Sequence, residues 1–172
     1  MEDKVILVDE MDNERGVMAK HEAHQKALLH RAVSVFVFNS KGEWLLQRRA
    51  VDKYHSGGLW TNVCCTHPLP KEGNLEAANR RLREEMGMHA PLTELFSFCY
   101  KEALDNELTE HELDHVFVGV TDMLPMINRV EVGEYRYVKY PDLKRDMTLH
   151  PELYTAWFKM IVERVQTFVA PD

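Results

Sequence analysis

The strongest constraint on the fold is a change of hydrophobic period along the chain. Short apolar runs suited to strands fill its centre, and two longer stretches switch to the three- and four-residue steps of a helix. Residues 5–8 predict a short buried strand, followed by a polar turn over 9–16. Residues 33–38 predict a second strand, and the turn Asn39-Ser40-Lys41-Gly42 joins it to 43–48 as a hairpin. Gly57 and Gly58 precede a further strand at 59–66, and others are expected near 95–101, 108–120 and 135–140. Between them, Leu75, Ala78, Leu82 and Met86 recur at helical spacing. Asn74 can cap that helix and Gly87 can stop it. A terminal amphipathic helix is expected over 151–169, where Leu153, Trp157, Ile161, Val165 and Phe168 share one face. A strand-rich centre with one internal and one terminal helix predicts an α+β fold, an αβα sandwich around a mixed sheet.

At 172 residues and 45% hydrophobic content, the chain suffices for one well-buried domain over 1–172 and is too short for two ordinary ones. The formal net charge of -7 argues against a nucleic-acid-binding surface, so an anionic substrate needs a local basic pocket. No apolar run approaches the roughly 20 residues of a membrane span, and 5–8 is too short for a signal-peptide core. Three cysteines, two of them adjacent, make no disulfide framework. The expectation is a cytoplasmic protein, a monomer or weak homodimer, acting on a small molecule without nucleic-acid or membrane partners.

Two histidines, His24 and His30, lie just before the second strand, and His67 follows Cys65 by two residues. In Glu110-His111-Glu112-Leu113-Asp114 the two-residue step sends both glutamates to one face of a strand and His111 to the other. Three imidazoles and two carboxylates would make a mixed nitrogen–oxygen site for Mn²⁺, Mg²⁺ or Zn²⁺. Taken singly, each piece is more often a solvated face or a chance pairing. Glu84 and Glu85, at the end of the internal helix, suit a Mg²⁺ that bridges diphosphate oxygens, or else i,i+4 pairs with Arg80 and Arg81. Arg48, Arg49, Lys53 and Lys20 offer phosphate contacts or ordinary loop charges.

Three blocks in combination resemble a known family. They are the stretch from Leu29 through His30 and Val33 to Asn39, then Gly58-Leu59-Trp60-Thr61-Asn62-Val63-Cys64-Cys65-Thr66-His67-Pro68, then Glu110-His111-Glu112-Leu113-Asp114. In order and spacing they look like type 1 isopentenyl-diphosphate isomerases, which share the Nudix-like sandwich; the resemblance covers residues 5–165. It implies that Cys65 and Glu112 are the acid–base pair, assisted by Tyr100. It implies that His24, His30, His67, Glu110 and Glu112 hold one divalent metal, Mn²⁺ or Mg²⁺ with Zn²⁺ as an alternative. Glu85 would hold a diphosphate-bridging Mg²⁺, with Lys20, Arg49, Lys53 and Arg83 near the phosphate oxygens and Trp157 over the reacting carbons. The N-terminal segment 1–30, which supplies metal ligands, is the candidate lid.

The departures are informative. Arg81 stands where a hydrolytic Nudix helix carries glutamate, and the upstream glycine of that motif is missing, which disfavours nucleotide hydrolysis. Ala156 precedes Trp157 where the family commonly has proline, and His21 is a rival to His24. Two other readings are a Nudix hydrolase of a nucleoside diphosphate and a non-catalytic metal- or diphosphate-binding module. The first leaves Cys65 and the histidines without a task. The second would tolerate loss of Cys65 or Glu112, and both are present.

Overall fold

The structure, a computed structural model, describes residues 3–169; the extreme ends of the expected 1–172 domain lie outside them. A hairpin of β1 (Lys4–Val8) and β2 (Glu14–Ala19) leads through a short helix α1 (Lys20–Gln25) to the central strand β3 (His30–Phe38). Then follow β4 (Trp44–Arg49), the short β5 (Trp60–Thr61) and β6 (Cys64–Thr66), helix α2 (Asn74–Met86), the long β7 (Leu92–Ala103) and β8 (Thr109–Val120), and β9 (Val132–Val138). Helix α3 (Tyr140–Leu149), a 3-10 turn (Pro151–Leu153) and helix α4 (Ala156–Val169) end the described chain.

Strand β3 organises the sheet. It runs parallel to β8 over its full length and antiparallel to β1, β4 and β6, so the sheet is mixed as expected. Its two-residue period divides the core. Val33, Val35 and Val37 pack with Ala77, Ala78, Leu82 and Met86 of α2 on one face. Phe36 and Phe38 pack with Trp157, Phe158, Ile161 and Val165 of α4 on the other. Helix, sheet and helix form the three layers.

Several local expectations change. The polar turn of 9–16 is shorter: the Asp9 carboxylate accepts the Met11 and Asn13 N–H groups, both at 2.9 Å, and β2 begins at Glu14. No residue of β2 is fully buried, so it lacks a strong apolar alternation. The strand expected at 59–66 splits into β5 and β6, with Asn62 and Val63 between them. Helix α2 is capped by Gly73, whose N–H donates to Glu76 Oε2 at 3.0 Å, and Asn74 is its first helical residue. Leu75 is half exposed, and Ala77 takes its place in the buried stripe. Helix α4 starts only at Ala156, so Leu153 lies before it and both Leu153 and Phe168 are exposed. Helices α1 and α3 are additional; α3 buries Leu143 alone, too little for a periodic signal. Among the described residues, no helix is long and apolar enough to cross a membrane.

Candidate active site

The face of β3 that carries Phe36 and Phe38 also carries Ser34 and His30. Polarity therefore rises along a single strand toward its N-terminal end. The neighbours match this gradient. Glu112 of β8 lies opposite His30 and, across β7, opposite Tyr100, while Cys65 of β6 lies opposite Ser34. Ser34, Cys65, Tyr100 and Glu112 open into a cavity of about 460 Å³ bounded by the N-terminal hairpin, the loop 50–59, α2 and α4.

Four donors converge at the cavity wall, where His67 and Glu112 line it and His24 and His30 are buried behind them. Ring nitrogens of His24, His30 and His67 and a carboxylate oxygen of Glu112 all lie within 4.8 Å of one another. They come from α1, β3, the residue just after β6, and β8, so the fold alone brings them together. Both ring nitrogens of His24 and Nε2 of His30 are buried without a hydrogen-bond partner. A buried polar atom left unpaired costs free energy, so this donor set fits a divalent cation. Burial, and then the neighbouring His67 and His30, push the His24 pKa down to about 3, leaving a neutral imidazole as a ligand. Burial alone would raise the Glu112 pKa, but the His30 and His67 imidazoles, 3.5 and 2.9 Å from its Oε1, reverse this and hold it well below the usual carboxylate range.

Tyr100 donates to Glu112 Oε2 at 2.8 Å and lies 3.2 Å from Glu110 Oε2. Glu110 lies outside the four-donor group; His55 Nε2 stands 3.4 Å from its other oxygen. Burial, then the charge of Glu112, pushes the Glu110 pKa up. His21, the rival ligand, is exposed and bonds the Tyr54 hydroxyl at 2.6 Å.

Cys65 Sγ lies 3.3 Å from Ser34 Oγ and 3.3 Å from Asn62 Nδ2. Ser34 donates to Asp114 Oδ2 at 2.6 Å. The Asn62 side-chain oxygen accepts the Trp157 indole N–H at 3.2 Å, so one carboxamide touches both the thiol and the tryptophan. Burial and then the Asp114 carboxylate push the Cys65 thiol up, which keeps it protonated.

The cavity also carries basic groups. Lys20, Arg49 and Lys53 line the cavity, and the Arg49 guanidinium sits 5.4 Å from the Trp157 ring centroid. Glu85, buried on α2, accepts from Gln47 at 2.5 Å and pairs with Arg81 at 2.7 Å. Arg83 is exposed and does not line the cavity, whereas Arg80 and Arg81 do.

Residues 28–158 match the NUDIX domain family. The chain is 52% identical over 165 residues to the isopentenyl-diphosphate Delta-isomerase of Pectobacterium atrosepticum, covering 96% of this chain and 92% of that protein. It is 50% identical to isopentenyl-diphosphate Delta-isomerase 2 of Aromatoleum aromaticum, covering 96% and 87%. This chain belongs to the isopentenyl-diphosphate Delta-isomerases of the NUDIX family. Its fold is shared more widely: the crystal structure of DR0079 from Deinococcus radiodurans superimposes with a TM-score of 0.71 at 20% identity, covering 86% of this chain and 90% of that one.

In this isomerase-family chain, most residues singled out from sequence line one cavity; His24 and His30 are fully buried against His67 beside it, and Arg48 and Arg83 do not line it. Sequence reasoning passed over others that the structure brings there. Ser34 and Asp114 sat in strands with the right two-residue step to His30 and Glu112, a signal that was available. His55, Asn62 and Glu131 lie at turns or loops, where no periodicity marks an inward side chain.

Proposed function

We propose that this chain interconverts isopentenyl diphosphate and dimethylallyl diphosphate by adding a proton at one end of the alkene and removing one at the other. Supporting this reading above all, a protonated thiol and a carboxylate held by tyrosine stand in one cavity, on strands flanking β3 from opposite sides. An unactivated alkene offers no carbonyl to hold negative charge, so the reaction passes through a tertiary carbocation. A proton donor and an acceptor placed apart suit that route. Cys65 and Glu112 take these roles, and Tyr100 orients Glu112 through its 2.8 Å hydrogen bond.

His24, His30, His67 and Glu112 would hold a divalent cation, Mn²⁺ or Mg²⁺, with Glu110 beside them. The positive charge of such a cation lowers the proton affinity of a coordinated carboxylate. Glu85 would meet a Mg²⁺ carried by the diphosphate. Lys20, Arg49, Lys53 and Arg81 neutralise the phosphate oxygens, and Arg81 takes the place first expected of Arg83. The Trp157 ring, braced by Asn62, offers a π face to developing positive charge, an attraction worth about 2 kcal/mol or more when water is excluded. Asp3, Lys4 and Val5 of the N-terminal hairpin border the cavity, where closure would keep water from the cation.

The test is NMR of the protein with isopentenyl diphosphate and Mg²⁺ in deuterated water. Dimethylallyl diphosphate carrying deuterium is the expected product. Release of inorganic phosphate would mean hydrolysis instead, and an unchanged spectrum after Mn²⁺ and Zn²⁺ had also been supplied would mean binding without turnover.

A further inference from the structure

Lys53 and Arg81, which face the proposed diphosphate position, already hold an anion. Oε2 of Glu131 accepts from Arg81 Nη2 at 2.9 Å and forms a close ion pair with Lys53 Nζ. Arg81 also pairs with Glu84 at 3.1 Å and Glu85 at 2.7 Å. Glu131 ends the loop between β8 and β9, and its main chain is fixed there. Its carbonyl accepts the Ala50 N–H at 3.1 Å and its N–H donates to the Asn128 carbonyl at 3.0 Å. Asn128 in turn donates its N–H to the Glu85 carbonyl at the end of α2. Only the side chain of Glu131 is left to turn, and it lines the same cavity as the two cations.

Two partly buried cations side by side repel each other, and one carboxylate oxygen shared between them relieves this. A diphosphate brings more charge and more oxygens to the same place, so it outcompetes the single carboxylate. Substrate and product carry the same diphosphate, and a clamp with no internal anion would hold both too long. We infer that Glu131 is an exchangeable counter-ion, displaced from Lys53 and Arg81 by the substrate's diphosphate and returning as the product leaves. This rests on the reading of Lys53 and Arg81 as diphosphate receivers. It makes Glu131 a residue that sets head-group affinity without touching the alkene.

The experiment is calorimetric titration of inorganic pyrophosphate, with excess Mg²⁺ at fixed ionic strength, into wild type and Glu131→Gln, each checked for folding by circular dichroism. Glutamine keeps the shape and an acceptor oxygen and drops the charge. The variant is expected to bind pyrophosphate about tenfold more tightly, as removal of a close competing charge requires. KM for isopentenyl diphosphate and the inhibition constant for dimethylallyl diphosphate should fall by the same factor. In a Lys53→Met background the gain should shrink, because one of the two guarded cations is gone. Unchanged or weaker pyrophosphate binding by folded Glu131→Gln would overturn the inference and leave Glu131 a brace for its cations. Wild type that binds no pyrophosphate would instead overturn the head-group reading beneath it. Should the glutamine variant not fold, Glu131→Asp, with its shorter reach, is expected to tighten pyrophosphate binding roughly two- to threefold, and no tightening there counts against the inference.

Discussion

The adjacent cysteines show how much one residue's step decides. Strand β6 sends Cys64 into the core beneath α2 and Cys65 into the cavity. Replacing Cys65 with alanine is expected to lower kcat by about a thousandfold or more while leaving the fold intact, in line with loss of an acid–base group. Cys64→Ala should retain most turnover and cost roughly 1 kcal/mol of stability, as small core deletions do. Steady-state rates beside urea unfolding curves would check both, and a dead Cys64→Ala enzyme with normal stability would mean the roles are reversed. The sequence distinguished the two through the two-residue step from Cys65 to His67. The same geometry explains why Arg83 was misplaced. Arg81, four residues before the buried Glu85, shares its helix face; Arg83, two residues before it, points nearly the opposite way. Glu85 itself falls in the apolar stripe of α2, seven residues after Ala78, and a carboxylate there marks the phase of the helix.

At the scale of elements, legibility followed the strength of burial. The halves of the hairpin β3–β4 and the long β8 carry continuous buried runs and were recognised close to their ends. Strand β2 and helices α1 and α3 bury few side chains, so their formation depends on neighbours that no local pattern reveals. The stop of α2 combines both kinds of information. Gly87 has φ of +61°, which suits glycine, and a Cβ there would stand 2.5 Å from the Met126 carbonyl oxygen. Gly87→Ala is therefore expected to cost about 2 kcal/mol, and more if Met126 cannot shift, lowering Tm by roughly 4–8 °C. A thermal melt within 1 °C or so of wild type (roughly the uncertainty of such a measurement) would show that the loop yields. The β1–β2 turn makes a pH-dependent counterpart. Hydrogen bonding from the Asn13 N–H above all, joined by bonds from the Asn13 and Arg15 side chains and the Met11 N–H against the opposing effect of desolvation, lowers the Asp9 pKa from 3.8 to about 2. A depressed carboxylate stabilises the fold above its unfolded value and ceases to do so as pH falls through its folded one. Wild type should thus exceed Asp9→Asn in stability by a constant amount above about pH 4, and the gap should close toward pH 2. Urea titrations across that range would settle it, and a gap that ignores pH would rule the turn out as its source.

For the molecule as a whole, the donor group is the feature that sequence could suggest but not assemble. Its histidines and glutamate span residues 24 to 112, and their meeting depends on β8 running parallel to β3 in the register that sets Glu112 opposite His30. A slip of one residue would turn Glu112 to the other face. The arrangement has a thermodynamic signature independent of turnover. His24 is fully buried with neither ring nitrogen bonded, so without a cation it weakens the fold. A bound ion would take one of those nitrogens as a ligand and stabilise the folded chain by about 2.7 kcal/mol at a hundred times its dissociation constant, a Tm rise of roughly 5–10 °C. His24→Leu fills similar space with no unpaired nitrogen. In chelator it should melt at or above the wild-type temperature, and on addition of Mn²⁺ it should gain little. The two proteins should therefore change order: the variant level or ahead without metal, wild type ahead with it. If His24→Leu were less stable in chelator and still gained fully from Mn²⁺, His24 would be a packing residue and the cation would be held without it.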